Sequence, residues 1–334
     1  MKKIVKLLLQ IMLWLSMEFS QAAVISSENL DEMLTIEQVS LAINGLITVL
    51  DENYIHKEKA LLIEKRLKQK LSYGDFQNIS DWYSFIRQVN NVMRRVSGDM
   101  FLDLIAKEPL FMLEKVQNKI NNPTDFNLYN LKVLKGNIGY LKLNYFYRHS
   151  DAKSEISYAF NKLSDVDALI IDLRSVEGES IFFAQYFMSF FVVEGTVLSE
   201  ILYDKKNKRK LLKAINNNGN DKFKNNFPVY ILTSSFLSSS GEFLSYTLKH
   251  LKKAVIVGEE TMGVAYIIQQ HMINNYISLK LPIAIPLHPL TKTNWSKVGV
   301  VPDVDISASL SLEAAHEIAM EYLGYSNKKQ LSRQ

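Results

Sequence analysis

The chain has 334 residues, 47% of them hydrophobic and 22% charged, which is the balance of a globular protein and not of a disordered one. Its formal net charge is only +4, and charges of both signs are interspersed, which argues against a nucleic-acid partner. The absence of cysteine excludes disulfides, thiol catalysis and thiolate metal sites. The six histidines lack metal-binding spacing, and there is no phosphate loop or dinucleotide fingerprint, so we expect no metal and no cofactor.

Residues 1–22 have the pattern of a secretory signal peptide. Two lysines follow Met1, residues 7–17 are mostly apolar, and small residues at 20–22 precede a cleavage site. The apolar stretch is shorter than the roughly 20 residues that a membrane span needs. We therefore expect an exported protein, periplasmic or secreted, which would be attached to a membrane only if the signal segment stays uncleaved.

Residues 28–98 are predicted to form an N-terminal helical domain. Apolar residues at helical spacing predict helices over 35–54, with Thr35 as the cap, over 57–72, and from Ser80 or Asp81 to about 96. The Ser-Gly-Asp sequence that ends at Asp99 breaks this pattern.

Residues 99–325 are predicted to form an α/β core, because strands alternate with helices. The expected strands cover residues 101–105, 130–134, 138–143, 168–173, 228–233 and 254–257, with a short one within 299–306. The expected helices cover residues 151–163, 180–191, the segment after Ser239, and 311–323. We interpret the basic run at 205–213 as a solvated loop and residues 326–334 as a polar tail.

Residues 230–263 are the most informative stretch, because they predict a strand, a serine-rich turn, a helix and a second strand. A serine at a helix N-terminus can be a nucleophile, since unpaired backbone N–H groups there stabilise an oxyanion. The spacing from Ser239 to Glu242 also fits an ordinary S-x-x-E capping box. The local pattern leaves both interpretations open.

Seven segments occur in one order along the chain: ENYIHKEKA, SGDMFLDL, GYLKLNYF, ALIIDLRSVEGES, YILTSSFLSSSGEF, AVIVGEETMG and PLTKTNWSKVGVVPDV. Together they resemble the tail-specific (C-terminal-processing) serine protease family, and more closely its interphotoreceptor retinoid-binding protein-like branch, over about residues 30–323. The resemblance implies a crotonase-like (ClpP/crotonase-type) α/β core preceded by a helical bundle. Many relatives carry a PDZ domain between the two parts, but the interval from residue 105 to 136 is too short for one.

The resemblance implies that Ser239 is the nucleophile. The backbone N–H of Ser239 or Ser240 would then form the oxyanion hole together with that of Gly178. The family pattern D-L-R-x-N-x-G-G retains Gly178 here, but its asparagine is Val176 and its second glycine is Glu179.

The base that the family uses is absent from the matching positions. Val264 stands where one branch has a lysine after T-x-G, and Phe101 stands where another has the histidine of D-x-H-L. Ser296 replaces the glutamate that supports that histidine. An alkyl hydroxyl without a base is a weak nucleophile, and loss of the base costs about 10⁴–10⁶-fold in rate. His271 and Glu242 are the two substitute bases that the sequence offers.

Two functions follow from this pattern. The chain is predicted to be an exported serine-type peptidase acting on a peptide or protein substrate, with Ser239 as nucleophile. The alternative is a catalytically degenerate family member that binds peptides or apolar ligands in the former active-site cleft.

Overall fold

The computed structural model of the chain describes residues 33–107, 128–146, 152–178, 180–203, 208–217 and 221–325. The predicted signal segment, the polar tail and most of the interval predicted to be too short for a PDZ domain lie outside these residues. The chain divides into two compact units. The first comprises Met1–Asp125 and Gln270–Leu281, and the second comprises Phe126–Gln269 and Pro282–Gln334. The predicted domain boundary at residues 98/99 stays a prediction.

The described helices are α1 (Ile36–Asn53), α2 (Lys57–Ser72), α3 (Trp82–Ser97), α4 (Ala152–Lys162), α5 (Ile181–Met188), α6 (Ser239–His250) and α7 (Ser311–Tyr322). The described strands are β1 (Asp103–Ala106), β2 (Tyr129–Leu134), β3 (Ile138–Leu143), β4 (Ala168–Asp172), β5 (Val197–Tyr203), β6 (Lys208–Lys213), β7 (Val229–Thr233), β8 (Val255–Gly258), β9 (Ile267–Met272), β10 (Ile277–Leu287) and β11 (Val304–Asp305).

Helices α1 to α3 of the first unit form where the apolar spacing predicts them, and two of them begin at the predicted caps. Thr35 Oγ accepts the N–H of Gln38, whose own side chain accepts the N–H of Thr35, which completes a capping box. Asp81 caps α3 by accepting the N–H of Ser84 at 2.6 Å. Gly98 ends α3 with a φ of +61°, a conformation that glycine adopts without strain.

The second unit contains a six-stranded sheet in the order β11-β8-β7-β4-β3-β2. All neighbours pair in parallel except β2, which pairs antiparallel with β3 at one edge. Strands β4 and β7 lie at the centre and are buried at every position, because a hydrophobic core lies on each face. The carboxyl ends of these two strands meet at the same sheet edge, which brings the segments after Asp172 and Thr233 together. The Ser234 hydroxyl donates to the Arg174 carbonyl oxygen there at 2.7 Å.

Three predictions about local structure are wrong. Residues 208–213 of the basic run are a strand that pairs antiparallel with β5, and not a loop. The strand predicted from residue 101 begins at Asp103, because the Asp99 side chain accepts the N–H of Phe101 and keeps that segment in a turn. The helix predicted over 180–191 ends at Met188, although Ser180 caps it as an N-terminal serine should.

Strands β5 and β10 have no counterpart among the predicted elements. Strand β10 pairs with β1 through residues 277–280 in the first unit and with β5 through residues 284–287 in the second. Within the part of the chain that the structure describes, no helix is both long enough and apolar enough to span a membrane.

Candidate active site

Ser239 is the first residue of α6 and has a left-handed backbone conformation, with a φ of +46°. Few non-glycine residues adopt such a φ, and those that do are concentrated at functional sites. The N-cap of α6 is Ser238, whose side chain makes no capping hydrogen bond. The predicted S-x-x-E capping box is formed only in part: Glu242 accepts the N–H of Ser239, but the Ser239 hydroxyl makes no capping hydrogen bond among the described residues.

Glu242 joins the turn that carries Ser239 to the T-x-G turn at residues 261–264 through side-chain hydrogen bonds. Its side chain is fully buried, and its Oε2 accepts the N–H groups of Ser239 and Val264, each at 2.9 Å. Its Oε1 accepts the Thr261 hydroxyl at 2.5 Å and the Gly263 N–H at 2.6 Å. Burial raises the pKa of the Glu242 carboxyl, and these four hydrogen bonds act in the opposite direction. Glu242 contacts the backbone N–H of Ser239 and not its hydroxyl, so this contact is a structural one.

Val264, the residue that the resemblance aligns with the family lysine, is a buried residue. Its side chain is only 5% exposed. Its N–H donates to Glu242, and its carbonyl oxygen accepts the indole N–H of Trp295 at 3.1 Å. The Trp295 loop is joined to the same turn a second time, since the N–H of Lys297 donates to the carbonyl oxygen of Gly263 at 3.0 Å. Hydrogen bonds therefore join the Ser239 turn, the T-x-G turn and the Trp295 loop, with the aliphatic side chain of Val264 packed between them.

Ser239 opens onto a cleft of about 260 Å³ in the second unit. Its described walls are Ser180, Ile181, Phe182, Ser239, Ser240, Phe243, Tyr266, Ile267, Ile268, Pro286 and Trp295. Apolar and aromatic side chains dominate this wall, and serine hydroxyls supply most of its polar atoms. Among the described residues, Ser239 Oγ makes no hydrogen bond.

The resemblance implies three candidate oxyanion-hole donors, the backbone N–H groups of Ser239, Ser240 and Gly178. The N–H of Ser239 already donates to Glu242, whereas no described acceptor receives the N–H of Ser240. Of these two alternatives, Ser240 is the available donor. Gly178 has a φ of +89°, which a side chain would strain, but its neighbour Glu179 lies outside the described residues. The role of Gly178 therefore stays a prediction.

Asp172, Arg174 and Tyr140 hold the beginning of the turn that leads to Gly178. Arg174 donates to both carboxylate oxygens of Asp172, at 2.9 and 2.6 Å, and the Tyr140 hydroxyl donates to Asp172 at 2.6 Å. Burial by itself would raise the pKa of Asp172, but the hydrogen bonds from Arg174 and Tyr140 outweigh it and lower the pKa. Burial, together with the hydrogen bond to Asp172, raises the pKa of the Tyr140 hydroxyl far above its ordinary value.

The two remaining sequence-predicted residues, Phe101 and His271, belong to the first unit. Phe101 follows Asp99, whose carboxylate also accepts the Tyr54 hydroxyl at 2.7 Å. His271 lies on β9, its Nε2 is buried without a hydrogen bond to a described residue, and burial lowers its pKa. Neither residue is among the described residues that line the Ser239 cleft, and His271 as a base stays a prediction.

Sequence reasoning missed most of the apolar cleft wall. Tyr266, Ile267 and Ile268 follow the T-x-G turn directly, and Ile181 and Phe182 follow the Gly178 turn at the start of α5. Their proximity along the chain to two recognised motifs was the available signal. Which of their side chains enter the cleft depends on the course of β9 and α5, which the motifs do not specify.

Three comparisons place this architecture among known proteins. The model of peptidase family S41 matches residues 137–306, just over half of the chain. The carboxyl-terminal-processing peptidase 2, chloroplastic, of Arabidopsis thaliana is 28% identical over 171 residues, which is 50% of this chain and 31% of that protein. This chain thus spans about a third of the length of that curated relative.

Solved structures share the fold at low sequence identity. A lipoprotein from Streptococcus agalactiae has a TM-score of 0.61 at 15% identity and covers 86% of this chain and 97% of its own. The photosystem II D1 C-terminal processing protease has a TM-score of 0.57 at 14% identity and covers 83% of this chain and 96% of its own. These likenesses confirm the predicted α/β fold, and the matched family model, which includes Ser239 and the segments around it, shows that the chain belongs to peptidase family S41.

Proposed function

We propose that this protein binds a peptide or protein segment in the Ser239 cleft and does not hydrolyse it at the rate of a base-assisted serine peptidase. The proposal rests on the close packing of Val264, the residue at the position where the family lysine would stand. Its side chain is buried, and its backbone is bonded on one side to Glu242 and on the other to Trp295. An apolar cleft wall with a few serine hydroxyls suits binding of an apolar side chain beside a peptide backbone.

The loss of rate that follows from a missing base favours binding over turnover. A serine hydroxyl remains protonated near neutral pH unless a neighbour accepts its proton as it attacks. Removal of that neighbour lowers the rate of a serine hydrolase by about 10⁴–10⁶-fold. Binding needs no such group, since it depends on the cleft wall and on the hydrogen bonds that the turn offers.

Hydrolysis is the second candidate function, and two observations favour it. The strained φ of Ser239 presents the residue at a tight turn before a helix, and the N–H of Ser240 is available to an oxyanion. Ser239 Oγ would form a bond to the carbonyl carbon, and the carbonyl oxygen would take up the negative charge. The proton of Ser239 would have to pass to a base from outside the described cleft wall.

Labelling with a fluorophosphonate probe, combined with peptide binding, distinguishes the two candidates. We expect no serine-dependent labelling, together with saturable binding of peptides that carry apolar side chains, in both the wild type and Ser239→Ala. Labelling that Ser239→Ala abolishes would establish hydrolytic chemistry and overturn the binding proposal. Loss of peptide binding in a folded Ser239→Ala variant would contradict it as well.

We further propose that the protein is exported and belongs to the interphotoreceptor retinoid-binding protein-like branch. The signal-like pattern of residues 1–22 supports export, and the order of the seven segments supports the branch. Determination of the N-terminal residue of the protein recovered from its native cells tests export. A mature chain beginning at Ala23 is expected, and a cytoplasmic protein that still begins at Met1 would contradict the proposal.

A further inference from the structure

A second and larger cavity lies at the other end of the helix that carries Ser239. Helix α6 runs from Ser239 to His250, a distance of about 18 Å at the usual rise per residue. Its last turn and the residues that follow it border a cavity of about 690 Å³ in the second unit. This cavity and the Ser239 cleft share none of the described residues that line them.

The second cavity is cationic. Among the described residues that line it are Lys249, Lys252 and Lys253 and one carboxylate, Asp303, so these residues carry a formal charge of +2 if His250 is neutral. Burial, aided by the charge of Lys249, lowers the pKa of His250, which keeps it neutral near pH 7. Asp303 forms an ion pair with Lys249, whose ammonium lies 2.8 Å from an Asp303 oxygen.

The other two ammonium charges have no counter-ion among the described residues. Lys253 donates to the carbonyl oxygen of Lys224 at 2.7 Å, which fixes its position without neutralising its charge. Lys252 makes neither an ion pair nor a side-chain hydrogen bond to any residue that the structure describes. An anion in the cavity would therefore meet two uncompensated positive charges.

The hydrogen bonds that end α6 use the backbones of these lysines and not their ammonium groups. The N–H of Lys253 donates to the Leu248 carbonyl oxygen at 2.8 Å, and the N–H of Lys252 donates to the Lys249 carbonyl oxygen at 2.9 Å. Lys252 has a φ of +56°, at a position where glycine or asparagine usually ends a helix. The Lys252 ammonium makes no hydrogen bond within the described chain, so it can meet a ligand.

Aromatic rings complete the wall beside the charges. Phe227 and Tyr230 flank the cavity at the start of β7, and Tyr322 contributes a ring from the end of α7. Tyr322 is 65% exposed, whereas Tyr230 is almost fully buried. The volume is within the range of about 300–1,000 Å³ that is usual for small-molecule sites.

We propose that this cavity binds a small anion, a phosphate or carboxylate, that carries a planar apolar group. The anionic group lies against Lys252 and Lys253, and the planar group lies against the aromatic wall. This ligand is separate from the peptide of the Ser239 cleft, so the two proposals stand or fall independently.

Isothermal titration calorimetry with phenyl phosphate, inorganic phosphate and phenol tests the proposal on the purified protein. We expect saturable binding of phenyl phosphate that is about tenfold tighter than that of inorganic phosphate, because the ring buries apolar surface. Phenol, which lacks the charge, should not bind measurably at the same concentrations. Ser239→Ala should bind phenyl phosphate as the wild type does, since Ser239 does not line this cavity.

Lys252→Gly is the decisive variant, because glycine accepts the left-handed backbone while the ammonium is lost. We expect it to remain folded and to bind phenyl phosphate about tenfold more weakly, the effect of one charge-assisted hydrogen bond. Lys292→Gly is the control for charge and backbone conformation: Lys292 has a φ of +57° and does not line the cavity, and its replacement also removes an ion pair with Glu200 that Lys252 lacks.

Three outcomes would overturn the proposal. The first is the absence of saturable phenyl phosphate binding at millimolar concentration. The second is equal weakening by Lys252→Gly and Lys292→Gly, which would indicate attraction by net charge alone. The third is inorganic phosphate binding as tightly as phenyl phosphate, which would remove the aromatic part of the site.

Discussion

Ser239 is held in its conformation by contacts on both sides of its turn. Its N–H donates to the buried Glu242, and Gly241 approaches Leu237 so closely that an added Cβ would lie 2.3 Å from a Leu237 methyl carbon. A left-handed conformation costs a residue with a Cβ about 1–2 kcal/mol. The left-handed conformation of Ser239 therefore lowers the stability of the fold while it exposes one hydroxyl, and strain of this kind is typical of functional positions.

This strain can be measured through a pair of substitutions. Ser239→Gly should be more stable than Ser239→Ala by about 1 kcal/mol, because glycine tolerates the positive φ and alanine does not. Urea unfolding of both variants gives the difference in the free energy of unfolding. A Ser239→Ala variant as stable as Ser239→Gly would show that the residue is unstrained.

Glu242 should matter more for stability than for chemistry. Glu242→Gln places an amide N–H₂ against groups that are all donors to the carboxylate, which leaves buried donors unpaired. We expect a loss of about 2–4 kcal/mol in the free energy of unfolding. Glu260→Gln, a neighbouring change of the same kind outside this network, is the control, and an equal effect in both variants would contradict the structural role.

Phe182 should contribute to ligand binding directly. It lines the cleft and is 53% exposed, whereas Phe236 is 84% exposed and is not part of the cleft wall. Phe182→Ala should weaken binding of an apolar peptide about tenfold, through the loss of roughly 1.5 kcal/mol of apolar contact, and Phe236→Ala should leave it unchanged. Fluorescence anisotropy of a labelled peptide measures both. A larger effect from Phe236→Ala would place the ligand elsewhere.

At the scale of elements, the end of β4 is fixed by the buried ion pair between Asp172 and Arg174. Arg174 also donates to the carbonyl oxygen of Ala308, so the pair ties the sheet edge to the segment before α7. The loop toward Gly178 begins from this anchor.

Removal of the Asp172 charge should therefore destabilise the protein in a pH-dependent way. Asp172→Asn should lower the free energy of unfolding by about 3 kcal/mol near pH 7, because it leaves the guanidinium without its partner. The folded pKa of Asp172 lies below its ordinary value of 3.8, so the wild type has its full advantage above about pH 3.8. The advantage should decline as the pH falls further and Asp172 is protonated. A difference that stays constant down to low pH would contradict this account.

The elements that the sequence predicted well are those with a strong local signal. Helices α1 to α3 follow from apolar spacing and from caps such as Thr35 and Asp81. Strands β4 and β7 follow from short apolar runs that are buried on both faces. Strand β10 escaped prediction because it contains Pro282 and Pro286, and proline usually argues against a strand. It pairs with β9, which directly precedes it, but its other partners, β1 and β5, are distant in sequence, so local pattern alone could not predict its place in the sheet.

The part of the candidate site that could be predicted is the part with a strong local sequence signal. Ser239 is recognisable because its turn and helix are contiguous in the chain, and the structure adds its positive φ and the bond to Glu242. The apolar cleft wall could not be predicted, because it assembles from α5, α6, β9 and β10, which are far apart in sequence. The basic strand β6 was mistaken for a loop, since lysine and arginine are also what exposed edge strands carry.

At the scale of the whole molecule, the protein belongs to peptidase family S41, and we propose that it lacks the family's bases. By the resemblance of its sequence segments, Phe101 in the first unit and Val264 and Ser296 in the second stand at the positions where those groups are expected. The Trp295 loop and the T-x-G turn nevertheless remain joined by the hydrogen bonds that hold the cleft together. We propose that this cleft binds a peptide and does not hydrolyse it.

Fluorophosphonate labelling of the wild type beside Ser239→Ala, with peptide binding recorded on the same preparations, is the sharpest test of this proposal. We expect no labelling that depends on Ser239, and peptide binding that survives in both proteins. Rapid labelling of the wild type that disappears in Ser239→Ala would contradict it, and would mean that a base reaches Ser239 from outside the described cleft wall.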